Sequence, residues 1–152
     1  MPLQRVQAAL ENYKDLEIIL FDSSTHTADL AAQALGVQPA QIAKSLLFLA
    51  DGQPAMVVTC GDRKVNTKLF GRLLSAKKVR FANAEQVAEL TGFPPGGVSP
   101  VGLLRPLPVY LDKSLYDYAV VYAAAGTANS ALPVAPERLR EITGAEIIDV
   151  CS

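Results

Sequence analysis

Apolar residues at Leu3, Val6, Ala9, Leu10 and Tyr13 recur every three to four positions, and Pro2 stands where a first helical turn tolerates it. This spacing predicts a helix over residues 3–14. Glu17 to Phe21 reads as a short apolar strand and Asp22 to Thr27 as a polar loop. Thr27 is expected to cap a helix carrying Leu30, Ala31, Ala34 and Leu35, which Gly36 stops. Pro39 opens a turn at Ile42, and Lys44-Ser45 stands at the threshold of a strand over residues 45–50. Asp51-Gly52 then turns the chain into a second strand over residues 55–59, the strongest hairpin signal present.

Beyond Cys60-Gly61-Asp62, the pattern predicts a basic helix with Val65, Leu69 and Leu73 on its buried stripe, a brief strand over residues 78–81, and a helix over residues 84–90 capped by Asn83. Thr91 to Gly102 holds four glycines and three prolines in twelve positions, which makes it a loop, while its apolar residues argue for an ordered one. Strands at residues 109–111 and 119–123 follow, then a helix over residues 136–143 and a last extended segment at residues 147–150. Short strands among irregularly placed helices, without strict βαβ alternation, predict an α+β fold with a mixed, curved or barrel-like sheet surrounded by helices. With no internal repeat and no domain-length linker, residues 1–152 are expected to form a single domain.

Charge changes the picture locally. The chain of 152 residues has a net charge of −1, which excludes a globally basic nucleic-acid coat, yet residues 61–80 hold seven basic residues against one acidic. Arg63, Lys64, Lys68, Arg72, Lys77, Lys78 and Arg80 form a segment suited to a polyphosphate partner, although charge alone favours a solvated helix face beside a lysine-protected edge strand. No apolar run approaches the length of a membrane span and the start of the chain lacks a signal-peptide pattern, so a cytoplasmic protein with no membrane partner is expected. Two cysteines, Cys60 and Cys151, and one histidine, His26, make no metal-ligand set, so neither metal nor other cofactor is expected.

Lys44 can hold a phosphate or polarise a carbonyl from a strand end. Gly96-Gly97 can approach a ligand closely and expose peptide N–H groups, but the loop is neither a P-loop nor a dinucleotide fingerprint, and Ser99 is not set in a GxSxG elbow. Asp112 reads as the cap of a short turn before Tyr116, Cys60 as a buried thiol and Cys151 as incidental. The small-residue run Ala123 to Ser130 leaves room for a ligand or for tight packing, with Asn129 or Ser130 able to supply a polar contact.

In order, Leu35-Gly36-Val37, Gln41-Ile42-Ala43-Lys44-Ser45-Leu46-Leu47-Phe48, Gly61-Asp62-Arg63-Lys64-Val65, Thr91-Gly92-Phe93, Gly96-Gly97-Val98-Ser99-Pro100 and Ala125-Gly126 resemble the YbaK/ProX family of aminoacyl-tRNA editing domains. The resemblance covers about residues 20–150 and carries no anticodon-binding or synthetase segment, so a freestanding member is expected. It implies an aminoacyl-tRNA deacylase, a metal-independent ester hydrolase that acts in trans on mischarged aminoacyl-tRNA and frees a small amino acid such as alanine or cysteine from the 3′-terminal ribose. Lys44 matches the family's pocket lysine and is the catalytic candidate. Gly96, Gly97, Val98, Ser99 and Pro100 match the pocket loop, Gly126 the glycine whose region closes the opposite side, and His26 is a further candidate for substrate binding. Arg63, Lys64, Lys68, Arg72, Lys77 and Lys78 are the candidate tRNA-backbone contacts, and a transient association with an aminoacyl-tRNA synthetase fits the same role. Asp29-Leu30 replaces an acidic pair of many relatives, and Ala123 to Ser130 lacks a histidine of some alanine-specific ones. The alternative is a non-catalytic module that binds tRNA or an aminoacyl-nucleotide.

Overall fold

The structure is a computed structural model that describes residues 2–21 and 28–151. His26 and the Thr27 cap lie outside the described residues. The chain runs through α1 (Pro2–Ala9), β1 (Ile19–Leu20), α2 (Ala28–Leu35), a 3-10 turn (Pro39–Gln41), β2 (Ile42–Ala50), β3 (Gln53–Cys60), α3 (Thr67–Leu74), β4 (Val79–Phe81) and α4 (Ala84–Thr91). After the Gly/Pro-rich loop come β5 (Val109–Asp112), a 3-10 turn (Lys113–Asp117), β6 (Val121–Ala123), β7 (Ser130–Val134), α5 (Pro136–Thr143) and β8 (Glu146–Ile148). The fold is the expected α+β type.

One mixed eight-stranded sheet runs in the order β1-β7-β6-β2-β3-β5-β8, with β4 attached to β2 outside that path. No pairing among the described residues joins its ends, so the sheet is open and branched rather than a closed barrel. The β2–β3 hairpin is its spine, in register from Ala43↔Cys60 to Ala50↔Gln53. Asp51 and Gly52 both have positive φ, 49° and 83°, as a two-residue hairpin turn with right-handed strand twist requires. The Asp51 carboxylate also accepts the backbone N–H groups of Lys77 (3.0 Å) and Lys78 (2.8 Å), which hold it below the usual carboxylate range and tie the basic segment to the hairpin tip.

Because side chains alternate along a strand, β2 serves cores on both faces of the sheet. Ala43 and Leu47 enter the main core with Val6, Met56, Val58, Phe93, Leu111 and Leu139. Phe48 enters a second core with Val57, Phe70 and Ile148, and Ile42 a third with Ala31 and Ala32. Each such fully buried aliphatic or aromatic side chain contributes about 1.5–3 kcal/mol.

Several boundaries differ from the sequence reading. The first helix ends at Ala9, with Leu10 to Leu16 continuing as turns, and the 17–21 strand contracts to Ile19–Leu20 at the edge of β7. β2 begins at Ile42, because Ile42 and Ala43 already pair in parallel with Tyr122 and Ala123, so Lys44 lies inside the strand rather than at its threshold. The buried face of α3 is Phe70 and Gly71, while Leu69 and Leu73 stay exposed and Val65 precedes the helix. Phe70 wins that face because its ring packs edge-on against both Phe48 and Tyr110, each at 5.6 Å between centroids. β7 (Ser130–Val134) begins at the end of the small-residue run, in a stretch to which the sequence reading assigned no element.

Candidate active site

β2 has β3 along one edge from Ala43 to Ala50 but shares the other edge between two strands. β6 pairs only at Ile42 and Ala43, and β4 only from Phe48 to Ala50. A cavity of about 250 Å³ occupies the fork. Its floor is the Ile42 to Leu46 segment, one wall is Ala31 and Leu35 of α2, another is Tyr122, Ala123, Ala124, Ser130 and Ala131, and Pro95, Gly96 and Val98 close it from the Gly/Pro-rich loop. The volume is below the roughly 300–1,000 Å³ of sites for drug-sized ligands, so the cavity suits a small group.

Lys44 is half-buried beside Thr59 of β3, and its Nζ donates to the Gly61 carbonyl at 3.5 Å, the outer limit of a hydrogen bond. So long a contact holds the ammonium weakly, and Lys44 is one of the residues that border the cavity. Close by, the Cys151 Sγ lies 3.0 Å from the Thr59 hydroxyl. Burial is the main cause that pushes the Cys151 thiol up to about 11, and burial also raises Cys60. Both stay protonated at neutral pH, which makes them poor nucleophiles. Burial works to raise Asp112, but hydrogen bonds from Ser114 and from the Val150 backbone outweigh it and hold the carboxyl below its usual value. With Asp112 accepting from Ser114 N and Val150 N, both at 3.0 Å, its expected capping role is what it performs.

The glycine loci expected on opposite sides of a pocket meet each other. Gly97 packs so closely on residue 127 that an added Cβ would sit 2.6–2.7 Å from Thr127 N, C and Cα. Gly96 and Val98 line the cavity, whereas Gly97 supports its wall from behind. Ser99 and Pro100 are buried outside the cavity lining, and the Ser99 hydroxyl bonds to both N (3.0 Å) and O (2.8 Å) of Val101, an internal staple. Gly126 (φ 101°) faces Pro2 and Leu3 of α1 instead of the cavity. In the same loop, the Ser130 hydroxyl accepts from Ala125 N (3.0 Å) and donates to Thr127 O (3.0 Å), while Asn129 Nδ2 donates to Phe21 O (3.1 Å). Ser130 is thereby spent on the loop's own shape, and Asn129 on tying the loop to the chain after β1.

The basic residues fall into two sets. Arg63 and Lys64 are exposed just after Gly61, whose carbonyl holds Lys44. Lys68, Arg72, Lys77 and Lys78 instead line a separate concavity of about 390 Å³ between α3 and β4. No group of three or more His, Cys, Asp or Glu among the described residues is placed to hold a metal ion.

Arg5 is the site residue the sequence reading missed. Its Nε donates to Gly102 O (3.1 Å), its Nη2 donates to Gly92 O (2.6 Å), and its guanidinium lies 4.7 Å from the centre of the Phe93 ring. One side chain from α1 thus pins both ends of the loop that carries Pro95, Gly96 and Val98. Arg5→Ala is expected to cost about 1–3 kcal/mol of stability and to blunt discrimination by the cavity, read by thermal denaturation and by activity toward esters of different side-chain size. Unchanged values in both would remove the clamp from the account.

A forked mixed sheet with a small cavity in the fork, a glycine-lined wall, a lysine at its border and a basic segment nearby defines an α+β domain whose cavity has room for a small group. The chain belongs to the aminoacyl-tRNA editing domain family, whose model matches residues 22–142. A crystal structure described provisionally as a trans-editing enzyme for prolyl tRNA synthetase superimposes with a TM-score of 0.92 at 38% identity, covering 99% of this chain and 97% of that one. A proline--tRNA ligase of Bacillus licheniformis is 43% identical over 103 residues, 68% of this chain but 18% of the ligase. EbsC of Enterococcus faecalis, named provisionally a Cys-tRNA(Pro)/Cys-tRNA(Cys) deacylase, is 24% identical over 91% of this chain and 84% of its own. No helix among the described residues is long and apolar enough to cross a membrane.

Proposed function

We propose that this protein deacylates mischarged aminoacyl-tRNA in trans, with a small amino acid in the fork of the sheet and the terminal ribose at its mouth. The observation that carries this reading is the 250 Å³ cavity bordered by Lys44 and by the Gly96 wall in a member of the editing family. Water adds to the ester carbonyl, negative charge collects on its oxygen, and the carbon–oxygen bond to the ribose breaks, giving the free amino acid and a tRNA with its terminal hydroxyl restored. The Lys44 ammonium stabilises that charge, and the cavity supplies orientation and size selection. A binding module without chemistry has no feature of the cavity in its favour. Similarity to a ligase for proline and to a cysteinyl-tRNA deacylase supports tRNA(Pro) carrying cysteine or another small residue as the substrate, with turnover in the cytoplasm and transient contact with the synthetase. A deacylation panel of tRNAs charged with alanine, cysteine, serine, threonine and proline tests the reading. Acceleration confined to small non-cognate residues supports it, and none above the uncatalysed rate for any member sinks it.

Arg63, Lys64, Lys68, Arg72, Lys77 and Lys78 are proposed as contacts to the tRNA backbone, with Arg63 and Lys64 nearest the mouth. The Arg63→Gln/Lys64→Gln variant should weaken binding of uncharged tRNA and reduce its salt slope by about 0.7–0.9 per lost phosphate contact. Amino-acid preference should hold, because phosphate contacts are shared by every charged tRNA. An equal loss on aminoacylated adenosine, which lacks the backbone, would place these residues in the pocket instead.

A further inference from the structure

Lys44, Ser45 and Leu46 all border the cavity. Side chains of successive strand residues point to opposite faces, so a cavity bordered by three in a row reaches the strand's edge as well as one of its faces. On this edge β2 has no paired residue between Ala43, the last to pair with β6, and Phe48, the first to pair with β4. The Leu47 carbonyl accepts from Ala82 N (3.0 Å) and Asp51 N donates to Lys78 O (2.8 Å). Peptide groups of alternate residues face the same side of a strand, so odd-numbered residues of β2 turn theirs toward the fork. Ser45 belongs to this set, and no strand register among the described residues reaches it there. The Ser45 hydroxyl is also buried without a hydrogen-bond partner among the described residues. A strand edge and a hydroxyl left unpaired together carry a cost that a bound ligand can remove.

We propose that Ser45 receives the aminoacyl group as a strand one residue long: its C=O accepts from the substrate's α-ammonium and its N–H donates to the ester carbonyl oxygen. The hydroxyl supplies a further acceptor for the ammonium. This deepens the deacylase reading above and rests on it. Directly opposed residues of an antiparallel ladder exchange two such bonds, and an α-amino ester presents the same donor and acceptor as one strand residue. The Ser45 N–H then stands where charge grows during hydrolysis, complementing Lys44. The arrangement demands a free α-amino group, so it distinguishes aminoacyl esters from N-blocked ones by the chemistry of the backbone rather than by the size of the cavity.

The test compares tRNA(Pro) carrying alanine or cysteine with the α-deamino counterparts, propionyl and 3-mercaptopropionyl esters, each relative to its uncatalysed hydrolysis. Enzymatic acceleration should fall about 10-fold or more without the amino group. Ser45→Ala should lower acceleration of the amino esters several-fold, leave the deamino esters unchanged, and be rescued by Ser45→Thr. Equal acceleration of both ester types, or an equal loss on both in folded Ser45→Ala, would overturn the proposal. Binding of the hydrolysis-resistant amides 3′-alanylamido- and 3′-propionylamido-3′-deoxyadenosine separates the two readings. Preference for the alanyl amide without any ester hydrolysis would retain Ser45 as the amino-group site while refuting the deacylase, and equal binding would refute the Ser45 site whatever the activity.

Discussion

Lys44→Ala is expected to lower deacylation about 100-fold to 1,000-fold, the usual consequence of removing one preorganised donor from a developing oxyanion, with little change in stability. Lys44 sits within β2, half-buried and opposite Thr59, so its backbone is held by the hairpin ladder whatever the side chain. The ammonium's hydrogen bond to Gly61 O, 3.5 Å long and its only one among the described residues, is too long to contribute much to folding. Truncation therefore removes a charge from the cavity's margin while leaving the ladder intact. Because the interaction is made with charge that grows only during reaction, kcat and kcat/KM should fall together and substrate affinity should change little. Single-turnover kinetics read beside denaturation curves check this. A folded variant with wild-type rates would take Lys44 out of the chemistry, and a fall confined to affinity would make it a phosphate or ribose anchor.

Gly97→Ala should damage both stability and activity. The added Cβ would lie within 2.6–2.7 Å of three backbone atoms of Thr127, and backbone cannot swing aside as the tip of a side chain can. The loop must draw away from residue 127, and Gly96 and Val98, which flank Gly97 and line the cavity, move with it. Overpacking of this kind costs about 1–3 kcal/mol, or about 2–4 °C in Tm per kcal/mol for a chain of this size. The measurable signature is a lowered Tm together with lost selectivity between small and larger aminoacyl esters. A variant with wild-type Tm and selectivity would show that the loop does not bear on residue 127.

What could be read from the sequence is what local chemistry determines. The Asp51-Gly52 hairpin needs two positive-φ residues and has residues that tolerate them. The α4 start has its Asn83/Gln86 capping box, and α5 runs from Pro136 to Thr143, as read, with Gly144 in the left-handed region at its end. β7 was not assigned from the sequence, and Pro133 inside it is a residue that disfavours a central strand. It is tolerated because β1 reaches only Ser130 and Ala131, leaving Pro133 without a partner on that edge. The α3 face was misassigned because Leu69 and Leu73 satisfy helical spacing as well as Phe70 does, and only the aromatic neighbours from β2 and β5 decide between them.

At the site, Lys44, Gly96 and Val98 were legible as motif residues and do border one cavity. Arg5 was not, since its two acceptors lie 87 and 97 residues away. Nor was the edge of β2 at Ser45, which neither β6 nor β4 reaches because they attach to different ends of β2. Long-range strand pairing of this kind leaves no trace in local periodicity.

The central claim is that the forked cavity hydrolyses the ester of a small, wrong amino acid and spares the right one. Its most direct test is single-turnover deacylation of cysteinyl-, alanyl- and prolyl-tRNA(Pro) with the full chain in excess and magnesium for the tRNA held constant. Cysteine or alanine should be released fast, proline should be retained at the uncatalysed rate, and the difference should collapse in Lys44→Ala. Release of proline as fast as the smaller residues, or no acceleration for any of the three, would contradict the claim.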